Sequence, residues 1–198
     1  MSNSATKRGS ETQQRIIHAA ADLIHIQGAN GTSVDEILTA SSTGKSQFYH
    51  YFGSKDELIQ AVLAYWVKRS MAFAKNALST TSDPYTCIAA LFDGGAERYS
   101  NLDCKHGCPV ASLALELGGE DGSLRSTIDS FYLDFQNLIT SKLVELQARG
   151  QLSSTVNVDD LALFISATFH GSLLLATVKG DTKPITTAKE VVLAHIRG

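Results

Sequence analysis

The stretch Leu161–Val178 carries no formal charge and is the most apolar part of the chain. A helix that is apolar on every side has to be covered on every side, by lipid or by protein. Ser166, Thr168, His170, Gly171, Ser172 and Thr177 interrupt the run. They favour a helix buried in a protein assembly over a membrane span, and no membrane partner is expected. Ala167, Gly171 and Leu174 recur at helical spacing and leave a stripe that a second backbone could approach closely. The expected role is a twofold interface between two copies of the chain, joined by Thr187–Ile196. The other reading is a core helix within one subunit.

The rest of the chain is also patterned for helix. Three prolines in 198 residues leave long stretches free of helix breakers. In Thr12–Gly28 the apolar residues Ile16, Ile17, Ala20, Leu23, Ile24 and Ile26 follow a period near 3.6. Thr32 or Ser33 can cap a short helix Val34–Ala40, with Asp35 and Glu36 in its first turn. Ser41–Gly44 is a turn, and Lys45–Tyr51 a second short helix. Ser54 with Glu57 forms a capping box for a long helix from Lys55 to about Ala77. Asp83-Pro84 opens a helix to about Tyr99, and Asn101–Gly107 reads as loop. Pro109 starts a helix that stops at Gly118-Gly119, and Asp121–Arg149 is a long helix ended by Gly150. Asn157 or Asp159 starts the apolar helix, and Thr186 or Thr187 opens a last one to Ile196. The expectation is an all-α fold of about nine helices. At roughly 150 residues per domain, this length suits one compact domain or a small module attached to a larger one.

A 43% hydrophobic share and a formal charge of −3 exclude a disordered chain. Residues 1–55 carry five cations against four acids, a net of +1, so the remainder holds −4. Any phosphate contact is therefore expected in the N-terminal third. Cys87, Cys104 and Cys108 do not suit a disulfide-built secreted fold. Met1–Gly9 lacks an apolar signal core and reads as a frayed or DNA-brushing tail, so a cytoplasmic protein is expected.

The two short helices joined by a Ser/Gly turn form a helix-turn-helix candidate. Val34, Ile37, Leu38, Phe48 and Phe52 would pack inward, leaving Lys45, Ser46, Gln47, Tyr49 and His50 exposed. Gln can bridge an adenine edge, Lys can reach guanine or phosphate, and Tyr and His can bond phosphates. Lys55 adds a cation and free backbone N–H groups at the next helix start. The segments Thr32-Ser33-Val34-Asp35-Glu36-Ile37-Leu38 and Lys45-Ser46-Gln47-Phe48-Tyr49-His50-Tyr51-Phe52-Gly53-Ser54-Lys55-Asp56-Glu57-Leu58 resemble the TetR family of transcriptional repressors. Arg15–Ile24 and Gly28 resemble that family's first helix. The resemblance implies a three-helix DNA-binding domain, residues 1–54, on a helical ligand-binding and dimerisation domain, residues 55–198. It puts Lys45, Ser46 and Gln47 at the front of the recognition helix. Tyr49 and His50 fall at phosphate-contact positions, with Lys55 beyond, and Thr32 or Ser33 at a cap that can touch phosphate. Gly44 departs from the serine the family often places at the recognition-helix cap, and Gln47 is bulkier than the usual residue.

The implied function is a dimeric repressor, released from a palindromic double-stranded DNA operator by a small-molecule effector. Trp66, Phe73, Phe92, Tyr99, Leu113, Leu117, Phe131, Phe135, Phe169 and His170 are candidates to line the effector pocket, each of them also a plausible core residue. His170, a polar group in an apolar helix, needs a partner: a core carbonyl or the ligand. Cys104-Lys105-His106-Gly107-Cys108 is a poor metal site, and neither metal nor cofactor is expected. Lys105, His106 and the helix start at Pro109 could favour a thiolate at Cys108. Gly107–Glu116 also resembles a stretch of TetR-like regulators, some of which respond to electrophiles or oxidants. A thiol-sensing repressor using Cys108 is thus an alternative, and a buried structural thiol another. A small helical enzyme using the Cys/His segment is a further rival. No nucleophile, base and orienting group recur together, so no catalytic residue is expected.

Overall fold

The computed structural model describes residues 3–102, 104–117 and 122–197, with side chains from residue 9 onward. The described residues form helices and no strands: α1 Asn3–Gln27, α2 Val34–Ser41, α3 Lys45–Tyr51, α4 Lys55–Ala77 and α5 Pro84–Ser100. They are followed by α6 Pro109–Leu117, α7 Gly122–Ala148, α8 Val158–Lys179 and α9 Lys183–Arg197. The all-α expectation holds.

Several starts and stops are set by the local chemistry anticipated above. Asp83 accepts from the Thr86 N–H at 2.9 Å with Pro84 at the first helical position. A bond from the Thr86 hydroxyl, together with this one, holds the Asp83 carboxyl below the usual carboxylate range. Asn157, not Asp159, caps α8, its Oδ1 accepting from Asp159 at 3.0 Å and Asp160 at 3.4 Å. Gly28 (φ +80°) ends α1 and Gly180 (φ +64°) ends α8, both in the left-handed region where a Cβ is penalised.

Two helix starts and one capping bond differ from the expected ones. The helix α1 reaches back to Asn3, so residues 3–9 are helical rather than a frayed tail. Nothing in that stretch forbids helix, because its one glycine is tolerated and it holds no proline. The last helix begins at Lys183, ahead of Thr186 and Thr187. Pro184 fits a first turn, and Asp181 Oδ1 accepts from the Lys183 N–H at 2.8 Å. At α4 the expected capping box is displaced. The Glu57 N–H donates to Ser54 Oγ at 3.2 Å, but the Glu57 carboxylate accepts from Gly53, not Ser54, at 2.7 Å. The expected stop at Gly118-Gly119 and start at Asp121 lie outside the described residues.

The chain forms two compact units. One comprises residues 1–68 and 109–128, the other 69–108 and 129–198, so the division by packing falls within α4 and α7. In the first unit Ile16, Ile37, Phe48, Leu58 and Val62 are fully buried, and Val34 is half-buried. This is the inward face the sequence pattern predicts. In the second unit α5, α8 and α9 pack together around aromatic rings. Phe169 meets Phe92 edge-on at 5.4 Å and stacks on Phe135 at 5.7 Å. Gly95 is what lets α5 approach that close, since a Cβ there would lie 2.9 Å from Phe169 Cε2. By length and composition alone α8 could cross a membrane. Its Leu161, Ile165, Phe169, Leu173 and Ala176 are instead buried within the second unit.

Candidate nucleic-acid interface

The helix-turn-helix segment is held by short-range hydrogen bonds that leave one face of α3 open. Ser33 caps α2 reciprocally: its Oγ accepts from the Glu36 N–H at 3.2 Å, and its own N–H donates to Glu36 Oε2 at 2.7 Å. The bonds that the Glu36 carboxylate accepts from the Ser33 hydroxyl and from the Ser33 N–H lower its pKa. In the α2–α3 turn the left-handed residue is Ser42 (φ 52°), not Gly44, which adopts an extended conformation at the α3 N-cap. The turn is braced by Ser41, whose buried hydroxyl donates to the Ile37 carbonyl at 2.7 Å and lies 2.7 Å from Thr43 Oγ1. At the α3 start Gln47 Oε1 accepts from the Gly44 N–H at 3.3 Å, partly replacing the missing side-chain cap.

On α3 only Phe48 is buried, at 0% exposure, with Phe52 beneath it at the helix end. Lys45, Ser46, Gln47, Tyr49 and His50 are all exposed, and Tyr49 keeps 60% of its surface. A short helix presenting a cation, an amide, two hydroxyls and an imidazole on one side matches the groups that read base edges and bind phosphates. Lys45 Nζ lies 3.2 Å from Asp35 Oδ1, with both side chains largely in solvent. Such a pair is weak and yields readily to a phosphate.

Two expected contacts stand differently in the structure. Thr32 is not the α2 cap and is only 1% exposed; its hydroxyl donates to the Gly28 carbonyl at 2.7 Å. It is spent on the end of α1, and Ser33 takes the exposed position. Lys55 is half-buried, and its Nζ donates to the Ala29 carbonyl at 2.6 Å. Its ammonium therefore ties α4 to the α1–α2 turn within the first unit. The same turn receives a group the sequence did not flag: the Glu116 carboxylate of α6 accepts from the Ala29 and Asn30 N–H groups.

The ten pocket candidates are not gathered in one unit. Trp66, Leu113 and Leu117 fall in the first, and Phe73, Phe92, Tyr99, Phe131, Phe135, Phe169 and His170 in the second. In the second unit Phe131, Phe135, Phe169 and His170 form one ring cluster, with Tyr132 at 5.0 Å from His170. His170 Nδ1 donates to the Ser166 carbonyl at 2.9 Å, and burial pushes its pKa down. The core carbonyl is thus one of its partners. The Tyr99 hydroxyl is buried without a formed hydrogen bond, although the Thr177 hydroxyl lies within electrostatic reach. Phe73 lines a separate groove of about 700 Å³ with Arg69, Asn76, Asp93, Glu97 and Arg98.

Cys87 and Cys104 are buried thiols and Cys108 a half-buried one. Cys104 (φ 54°), His106 (φ 60°) and Gly107 (φ 35°) carry the chain through left-handed turns into Cys108. Burial pushes the Tyr99 and Tyr132 phenols up, and negative charge on Cys108 would push both the same way. On α8, Ala167, Gly171 and Leu174 are exposed, and Leu163, Phe164, Leu175 and Val178 extend the apolar surface around them.

Residues 16–62 match the family described as bacterial regulatory proteins, tetR family, and residues 84–191 match the LmrA/YxaF-like transcriptional regulator C-terminal domain. An uncharacterised HTH-type transcriptional regulator of Lactococcus lactis is 33% identical over 174 residues, covering 86% of this chain and 85% of its own. A TetR transcriptional regulator from Chloroflexus aurantiacus superposes with a TM-score of 0.84 at 26% identity, covering 96% of each chain. The regulator CifR, in a cysteine-substituted form complexed with 26-bp double-strand operator DNA, shares the fold at a TM-score of 0.79 and 20% identity. That match covers 90% of this chain and 94% of CifR. With both halves matched and a relative at this identity along most of its length, the chain belongs to the TetR family of DNA-binding transcriptional regulators.

Proposed function

We propose that this regulator is a homodimeric repressor of a palindromic operator, released by a small-molecule effector. The observation that carries the reading is the open face of α3: Lys45, Ser46, Gln47, Tyr49 and His50 exposed around a buried Phe48. Ser33 joins them at the α2 N-terminus. Residues 1–54 would bind DNA, and residues 55–198 would bind effector and pair subunits. Two copies joined along α8 and α9 would set recognition helices about 34 Å apart, one turn of DNA. The exposed apolar surface at Ala167, Gly171 and Leu174 supports that pairing, because such a patch is costly to leave in water. No membrane contact, cofactor or catalysis is part of this reading, and the site of action is the cytoplasm. The effector pocket would draw on the second unit's aromatic residues.

The test is fluorescence anisotropy on DNA from just upstream of the protein's own gene, at fixed salt, with non-specific competitor. Saturable binding that competitor fails to displace supports the reading. A protein that selects no sequence from a wider DNA pool refutes it. A second reading is favoured by the surroundings of Cys108. This half-buried thiol directly precedes the N-terminus of α6, the end of a helix that attracts negative charge. The effector would then be a thiol-reactive electrophile or oxidant. Cys108→Ser separates the two: a reversible-ligand regulator keeps its response, and a thiol sensor loses it.

A further inference from the structure

We infer that Glu116, far from the DNA-facing helix in sequence, is a positioning residue for DNA binding that latches the α1–α2 turn to α6. This inference rests on the operator-binding reading above. The Glu116 carboxylate accepts two backbone hydrogen bonds from consecutive residues, Ala29 to Oε2 at 2.8 Å and Asn30 to Oε1 at 2.7 Å. Two successive N–H groups turned the same way make a cradle for an anion. Gly28 leaves room for this approach: a Cβ there would lie 3.0 Å from Oε2 and 3.1 Å from Oε1, so the carboxylate would have to give by a few tenths of an ångström.

The same short turn is held from the other side. The Ala29 carbonyl accepts from Lys55 Nζ at 2.6 Å, so the Ala29–Asn30 peptide has its C=O on α4 and its N–H on α6. The Gly28 carbonyl accepts from Thr32 Oγ1 at 2.7 Å. Ala29 itself is 1% exposed; its bonds with Glu116 and Lys55 are part-buried, and the Asn30 bond lies at the surface. Ser33, the α2 cap, follows one residue after Thr32. The direction in which α2 leaves the turn, and with it the attitude of α3, is therefore set by one carboxylate and one ammonium. Both belong to helices outside the helix-turn-helix.

This arrangement makes α6 a second mechanical input to the DNA-binding segment, beside α4. Its first residue, Pro109, follows Cys108 directly, and Glu116 lies two turns further along. A shift of α6 along or about its axis pulls on the turn through two charge-assisted hydrogen bonds, which are stronger than neutral ones.

The experiment compares wild type with Glu116→Gln and Glu116→Ala by amide hydrogen exchange and by operator anisotropy at two salt concentrations. The Gln side chain is isosteric and can accept only one of the two bonds, so it keeps the test open if the Ala variant fails to fold. Expected are faster exchange over residues 28–33, unchanged exchange in α8 and α9, and operator affinity lower by about tenfold or more. The salt slope should stay unchanged, because Glu116 touches no phosphate. Unchanged exchange at Ala29 and Asn30 in both variants would overturn the latch. Faster exchange with affinity within about twofold of wild type would overturn its role in DNA binding. Should wild type itself select no operator, the operator-binding reading fails, and the exchange data still decide whether the carboxylate holds the turn.

Discussion

The Lys45–Asp35 pair makes a quantitative prediction about how α3 meets DNA. Lys45 Nζ sits 3.2 Å from Asp35 Oδ1 with 70% and 75% of the two side chains exposed. To reach a phosphate the ammonium has to leave that carboxylate. An exposed pair of this kind is worth roughly 0.2–1 kcal/mol, so removing the acid should raise operator affinity by about 1.4- to 5-fold. Asp35→Asn is the suitable change, since it keeps the shape of the first turn of α2. Lys45→Ala should weaken binding and lower the salt slope by about 0.9, the share of one phosphate contact on duplex DNA. Between about 50 and 200 mM salt, the deficit of the Lys45→Ala variant relative to wild type should shrink by roughly 3.5-fold. Anisotropy titrations of the two variants and wild type across that range read both numbers. A thermal melt checks that losing the Asp35 charge near the helix N-terminus has not unfolded α2. Weaker binding by a folded Asp35→Asn variant, or an unchanged slope in Lys45→Ala, would refute the placement of Lys45 on a phosphate.

Phe48 is fully buried and braces α3 from beneath. Truncating it to alanine should cost about 3–5 kcal/mol, abolishing operator binding and speeding amide exchange over residues 34–52 while α8 and α9 stay protected. His170 is held below its ordinary pKa by burial, so between its folded value and about 6.5 the unfolded chain binds more protons. Stability should therefore fall as pH drops below about 6.5 and level off above it, and His170→Gln should lose that dependence in melts taken across the range. Leu174 keeps 60% of its surface exposed on α8. If this face pairs two subunits, Leu174→Glu should halve the mass measured by light scattering and weaken operator binding with it, and an unchanged mass would sink the interface.

The helix-turn-helix was legible because its instructions are local. A cap at Thr32 or Ser33 with Asp35 and Glu36 in the first turn marks α2, and Phe48 and Phe52 face inward by helical spacing. Asp83-Pro84 announces α5 in the same way, and a cap at Asn157 or Asp159 announces α8. The exposed set on α3 follows once the buried Phe48 is known, since the remaining residues of so short a helix have nowhere else to point.

Other features had no such signal. Thr32 and Ser33 are adjacent and chemically alike, and only the path of α1 decided that the first turns inward to the Gly28 carbonyl and the second caps α2. Lys55 reads as a free cation until the Ala29 carbonyl is brought to it. The ten pocket candidates share a composition and a spacing, yet they separate into two packing units. Side chains a few residues apart were enough to place most of the helices, their apolar faces and the helix-turn-helix. The grip of Glu116 and Lys55 on the α1–α2 turn came from long-range packing alone. Their partners there are backbone N–H and C=O groups, which nearly every residue carries and which therefore leave no mark in a sequence.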